Sequence, residues 1–178
     1  MMRAFVGIPV PEAWAGPLVR VQERLALGRR VAEDDLHLTL AFLDDQAPDL
    51  LEALAEELSA RPLRAAMLRP VGVVPFGEGG TVALEVAADP ALVALHDTVR
   101  LAARGAGIDL PRRRFRPHVT LARLRRGAQE RLAGALAGLG HVELPEAQAE
   151  AVTLWSSTLT PEGPIYEALD SWLLIGAA

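Results

Sequence analysis

A four-residue frame occurs twice in this chain and restricts its fold more than any bulk property. His37-Leu38-Thr39-Leu40 and His118-Val119-Thr120-Leu121 both read His–apolar–Thr–Leu, each inside an apolar run. Such runs read as β-strands, and side chains along a strand alternate between faces. His37 and Thr39 then share one face, with Leu38 and Leu40 on the other. His118 and Thr120 share a face against Val119 and Leu121. Each strand offers an imidazole and a hydroxyl on one side and an apolar anchor on the other. Facing each other across a groove, two such strands surround one phosphate with two proton-transfer groups and two neutral donors. The bland alternative is a pair of ordinary half-buried strands that happen to carry polar residues.

The rest of the chain supplies elements to hold the two strands. Arg3 to Val10 reads as a strand, and Pro11 to Leu27 as a helix with Trp14, Leu18, Val21 and Leu25 at helical spacing. Leu36 to Leu43 carries the first motif. Asp49 to Ala60 reads as a helix. Arg64 to Val74 and Thr81 to Ala87 read as a strand pair joined by the turn-rich Pro75 to Gly80. Pro90 to Ala106 is a predicted helix with Asp89 as N-cap, stopped by Gly105 and Gly107. His118 to Leu124 carries the second motif, and Gln129 to Leu139 is helical. Ala149 to Leu159 and Ile165 to Ile175 form a closing strand pair. The second half roughly repeats the element order of the first, and no low-complexity linker separates them. The expected architecture is α+β: a single domain over residues 1–178, made of two similar lobes. Each lobe has an antiparallel sheet and outer helices, and the motif strands line a central cleft.

At 178 residues, 51% of them apolar, the chain is long enough for one well-filled core and is not expected to be disordered. It has no cysteine, which excludes disulfides and thiolate chemistry. Met1 to Val10 lacks the apolar length of a signal peptide, and no stretch approaches the roughly 20 apolar residues of a membrane span. A cytoplasmic protein without membrane contact is expected, and a monomer. The net charge is −5, yet all eighteen basic residues are arginine and seven lie between Arg112 and Arg126, around the second motif. Arginine's planar fork suits phosphate oxygens, so at least one of these is expected to meet phosphate or RNA backbone.

Histidine titrates near neutrality, so at pH 7 one of a pair can be neutral and the other protonated. Hydrolysis of a phosphodiester needs a base for the incoming water and an acid for the leaving oxygen, on opposite sides of phosphorus. Two opposed histidines meet that need, and Thr39 and Thr120 can donate to the non-bridging oxygens. No metal is required, and neither HExxH nor a paired Cys/His site is present.

These residues resemble the 2H phosphoesterases, and within them the RNA 2′,3′-cyclic phosphodiesterases, also called LigT-like 2′-5′ RNA ligases. The resemblance runs over nearly the whole chain. It includes Arg3 to Pro9, Leu36 to Leu43, Phe115 to Arg123, Leu154 to Ser157 and Gly163 to Glu167. It implies hydrolysis of a 2′,3′-cyclic phosphate at an RNA 3′ end to a 2′-phosphate, without a cofactor, and in some relatives the reverse joining through a 2′-5′ linkage. It also implies that His37 is the proton donor, His118 the proton acceptor, and Thr39 and Thr120 phosphate ligands. The chain departs from the family in three places. Ala41 stands where an arginine is usual, Asp44 where a glycine is usual, and the usual aromatic is absent from Thr81 to Leu84.

Arg116, Arg123, Phe5 and Tyr166 are candidate substrate contacts. Arg116 has the parity to face the cleft. Strict alternation turns Arg123 away, unless the strand ends or bulges before it. Phe5 and Tyr166 are candidates to stack on a base, with core packing the favoured reading for Phe5. Phe42 and Phe115 read as core, and His96 and His141 as solvent-facing. Asp34, Asp35, Asp44 and Asp45 read as loop surface. The competing functions are a nucleotide- or RNA-binding module with little turnover, and a related enzyme acting on a small cyclic phosphate or a 2′-5′ oligonucleotide.

Overall fold

A computed structural model describes residues 1–77, 80–124 and 127–177. Arg125 and Arg126 of the arginine cluster, and Glu78 and Gly79 of the predicted turn, lie outside the described residues. The chain begins with β1 (Met2–Pro9), α1 (Glu12–Leu25), β2 (Arg29–Arg30), a 3-10 turn at Glu33–Asp35, β3 (His37–Gln46) and α2 (Pro48–Ser59). It continues with β4 (Met67–Leu68), β5 (Pro70–Phe76), β6 (Thr81–Val86) and α3 (Pro90–Gly105). It ends with β7 (His118–Arg123), α4 (Gln129–Leu139), β8 (Ala147–Gln148), β9 (Ala151–Thr160) and β10 (Gly163–Leu173).

The helices form where the sequence spaces apolar residues by turns. In α1, Trp14, Leu18, Val21 and Leu25 are all buried, and the helix stops at Ala26, which takes the left-handed conformation. In α3, Asp89 accepts a hydrogen bond from the Ala91 N–H at 3.0 Å, as an N-cap should. In α2, Leu51, Leu54 and Leu58 make the buried stripe.

The main sheet is antiparallel, in the order β10-β9-β1-β3-β7-β6-β5, with β2 beside β7. It divides into two halves that meet at the motif strands. Leu38 of β3 pairs with Val119 of β7, and beyond that point β7 pairs instead with β2, Arg29 lying across from Arg123. The motif strands are therefore hydrogen-bonded neighbours along a short seam. The sequence suggested strands facing across a groove, whereas here the groove is the polar face of that seam. Gly28 makes the β2 contact feasible: its φ is +69°, and a Cβ there would lie 2.3 Å from the Arg123 carbonyl oxygen.

The helices cover the opposite face. Leu38, Leu40, Val119 and Leu121 join Trp14, Leu18, Leu54, Leu92 and Val99 in one connected apolar cluster that spans both halves. No helix among the described residues is long and apolar enough to cross a membrane.

Candidate active site

The two motifs present their polar residues as alternation requires. In β3, His37 and Thr39 are half-buried while Leu38 and Leu40 are buried, and β7 repeats the pattern with His118, Thr120, Val119 and Leu121. The antiparallel register through Leu38 and Val119 sets His37 across from Thr120, and Thr39 across from His118. Each imidazole thus has the other motif's hydroxyl as its cross-strand neighbour. The site has an approximate two-fold relation that the doubled sequence frame only hints at.

Each motif also carries a β-bulge at the same place. On β3, Thr39 pairs with Gly7 and Ala41 with Val6, leaving Leu40 without a partner on β1. On β7, Thr120 pairs with Ala83 and Ala122 with Val82, leaving Leu121 without a partner on β6. A bulge inserts one residue and reverses the parity of everything after it. This resolves Arg123: the bulge carries it to the histidine face, where its charge lowers the pKa of both His37 and His118. It also corrects the reading of Phe42. That ring was expected in the core, but it follows the first bulge and is 60% exposed on the cleft side. Phe42 and Arg123 are equivalent positions of the two motifs.

Both imidazoles are oriented the same way. His37 Nδ1 lies 2.6 Å from the Asp35 carbonyl oxygen, and His118 Nδ1 lies 2.8 Å from that of Arg116. A carbonyl only accepts, so Nδ1–H is the donor in each ring and Nε2 is left for chemistry. Burial pushes His37 down from 6.5 to about 4, with the charges of His118 and Arg123 adding to it against the Asp35 carbonyl. Burial also lowers His118, helped by Arg116 and Arg123. With the cleft empty at neutral pH, both rings are neutral, with an Nε2 lone pair available.

Aromatic rings pack each histidine. Phe5 stacks on His37 with centroids 4.6 Å apart and on Trp155 at 5.1 Å. Tyr166 stands edge-on to Phe5 at 5.0 Å and to His37 at 5.4 Å. Phe5 is only 3% exposed and already engaged by His37 and Trp155, so it positions His37 and is not a platform for a base. Tyr166 is half-buried and lines a cleft of about 320 Å³ together with Phe42, Arg3, Arg123 and Asp44. On the other side, Phe76 stacks on His118 at 3.7 Å, and the Arg116 guanidinium lies over the same ring at 4.6 Å. Arg116 faces the cleft as its parity predicted, 4.0 Å from Glu85.

The sequence reading passed over Phe76, assigning it to a turn. It ends β5, and its period-two relation to Val74 was the available signal. It supplies an aromatic ring that Thr81 to Leu84 of β6 lack. Asp44 adopts φ +56°, a backbone region that favours glycine. His96 is a correction. It is 8% exposed, stacks on half-buried Phe115 at 4.0 Å, and contacts Asp97 Oδ1 at 3.0 Å. It faces the loop before the second motif and not solvent, whereas His141 is exposed as expected. Among the described residues, no group of three or more His, Cys, Asp or Glu side chains is arranged to hold a metal ion.

A family model described as the 2'-5' RNA ligase superfamily matches residues 9–160. The chain belongs to the 2'-5' RNA ligase superfamily. Its superfamily relatives include the RNA 2',3'-cyclic phosphodiesterase of Thermus thermophilus, 33% identical over 98% of this chain and 91% of that protein. The RNA 2',3'-cyclic phosphodiesterase of Methanocaldococcus jannaschii is 28% identical over 96% of this chain and 100% of that protein. Among solved structures, a Thermus thermophilus protein matches with a TM-score of 0.75 and 26% identity, over 97% of this chain and 98% of that one. Escherichia coli LigT complexed with 3'-AMP shares the fold at a TM-score of 0.73, 24% identical over 97% of each chain. The α+β architecture expected for the superfamily is the one observed.

Proposed function

We propose that this protein hydrolyses 2′,3′-cyclic phosphate at RNA 3′ ends to a 2′-phosphate, using His37 and His118 as paired acid and base. The observation that carries this reading is the matched pair of imidazoles. Each has Nδ1–H tied to the carbonyl two residues back, each has no Nε2 partner among the described residues, and each feels the charge of Arg123. The names of the superfamily relatives support RNA cyclic phosphate as the substrate class.

His118 Nε2 takes a proton from water as the water oxygen attacks phosphorus. The P–O3′ bond breaks on the opposite side, and His37 Nε2–H gives its proton to O3′. One water is consumed, leaving a 2′-phosphomonoester and a 3′-hydroxyl. The Thr39 and Thr120 hydroxyls donate to the non-bridging oxygens, where charge gathers. Arg123 faces the same phosphate. His37 must be protonated to serve as the acid, so the anionic substrate raises its pKa from the low value of the empty cleft and brings in one proton. All four motif residues come from one chain, so a monomer suffices. No metal enters the scheme, and the expected setting is the cytoplasmic RNA pool. Replacing the attacking water with an RNA 5′-hydroxyl gives the 2′-5′ joining reaction.

The test is turnover of a nucleoside 2′,3′-cyclic phosphate in EDTA, with the product position read by phosphorus NMR. The expected product is the 2′-phosphate, and His37→Ala and His118→Ala each lose about 10²–10⁴-fold in rate. A 3′-phosphate product, loss of turnover on chelation, or wild-type turnover in either variant contradicts the reading.

A further inference from the structure

Two clefts flank the motif strands and share Phe42. One runs over Phe5 and Phe42 toward Tyr166 and mixes Arg3 and Arg123 with Asp44. The other, about 310 Å³, opens beside His118 and Thr39 and runs along the loop from Pro111 to Arg116. Arg100, Arg113, Arg114 and Arg116 line the second cleft, and among the described residues no carboxylate does. A phosphate between two histidines and Arg123 has no need of this further positive charge.

Two of these arginines already have work. Arg100 Nη2 donates to the carbonyls of Leu110 at 3.3 Å and Pro111 at 3.0 Å, and Arg116 lies over Phe76. Arg113 and Arg114 are exposed, and among the described residues no hydrogen bond or ion pair engages either. The loop that carries them has no regular structure, yet α3 fastens it at both ends. Arg100 ties its carbonyls, and His96 holds Phe115 by stacking at 4.0 Å. A loop braced in this way holds two unpaired cations at the rim of a cleft that reaches the second motif. Phe42 adds a largely exposed ring to the same cleft. Free cations along a groove with an exposed aromatic ring are what single-stranded nucleic acid binds, through its phosphates and through base stacking.

We infer that this second cleft is a nucleotide subsite. It takes an RNA nucleotide next to the reacting phosphate, with a phosphodiester against Arg113 and Arg114 and a base against Phe42. The inference rests on the proposed reaction. The nucleotide has two sources, the penultimate residue of the substrate strand or the 5′ end of a second strand. In the second case the 5′-oxygen attacks phosphorus and its proton passes to His118. The P–O3′ bond breaks, O3′ takes the His37 proton, and a 2′-5′ phosphodiester results.

The test compares a nucleoside 2′,3′-cyclic phosphate with a ribotrinucleotide ending in 2′,3′-cyclic phosphate, in wild type and in the double variant Arg113→Gln/Arg114→Gln. If the subsite serves the substrate strand, the trinucleotide has a KM about tenfold lower in wild type, and the variant brings the ratio to about one. The slope of log kcat/KM against log salt becomes shallower by about 0.7 for each phosphate that the variant leaves unneutralised, a change that mere loosening of the loop does not produce. If it serves a second strand, an unlinked 5′-hydroxyl ribotrinucleotide yields a 2′-5′-joined product in wild type and far less in the variant. The subsite is overturned if the variant preserves both the KM ratio and the joining yield, or if wild type shows neither effect while hydrolysing the mononucleotide. Failure of wild type to turn over either cyclic phosphate instead sinks the proposed reaction, and the subsite with it.

Discussion

At the scale of single residues, His37 sets the pH behaviour of the protein. Its pKa is about 4 in the folded chain against 6.5 for the unperturbed group, with burial as the main cause. The folded value is the lower one, so between these pH values the unfolded chain holds more protons. Stability is therefore complete above about pH 6.5 and falls as pH drops toward 4. His118 and His96 are shifted the same way, and they deepen the fall. Urea unfolding at pH 7 and pH 5 is expected to show wild type losing about 2 kcal/mol more than His37→Gln between the two. Equal losses would contradict a buried neutral imidazole. The identity of His37, Thr39, His118 and Thr120 as the cleft-facing set was legible in the sequence, because alternation along a strand is a local rule. The aromatic setting was not. Phe76, Phe5 and His96 take their positions from neighbours far away in sequence, and one chain carries no sign of those neighbours.

At the scale of elements, the paired bulges decide which side chains reach the cleft. Strict period-two reading fails after Leu40 and after Leu121 for the same reason, and it fails on Phe42 and Arg123 together. The second bulge has an identifiable brace. Gln22, on the buried side of α1, is 3% exposed, and its Nε2 donates to the carbonyls of Val31 and Leu121, both at 2.8 Å. Leu121 is the bulged residue, and its carbonyl also accepts from the Val31 N–H at 3.0 Å. Gln22→Leu leaves the Val31 carbonyl short of a partner and costs about 1–3 kcal/mol in stability. It also frees the segment leading to Arg123, so the His118 titration seen by NMR moves up toward that of Arg123→Gln. A stability loss with an unchanged His118 titration would show that Gln22 braces the fold without acting on the site. The first bulge relies on close approach instead. A Cβ on Gly7 would lie 2.7 Å from the Leu38 carbonyl oxygen and 3.3 Å from the Trp155 ring.

At the scale of the whole molecule, the two halves share one core across the seam. Leu38 and Val119, paired at the seam, are 1% and 0% exposed, and Trp14 ties α1 to the segment after α4 through Nε1 donating to the Pro145 carbonyl at 2.8 Å. The order of the helices and longer strands was legible from apolar spacing, since helices and strands leave different periods, whereas the two-residue strands β2, β4 and β8 are too short to leave one. The side-by-side placement of the motif strands was not, because a pairing between distant strands leaves no local pattern. A shared core predicts one cooperative unfolding transition, the same by far- and near-ultraviolet circular dichroism. Leu38→Ala is expected to lower the stability of the whole chain by about 2–5 kcal/mol. Two separate transitions would mean that the halves are independent domains.

The central claim is that both imidazoles attend a single anion. The direct measurement is an NMR titration with a nucleoside 2′-phosphate, following the ring protons of His37 and His118 in the same sample. The account predicts that both histidines shift along one binding curve, that the His37 pKa rises on binding, and that Thr39→Ala or Thr120→Ala weakens both responses together. Shifts confined to one histidine, or two curves with different affinities, would contradict it.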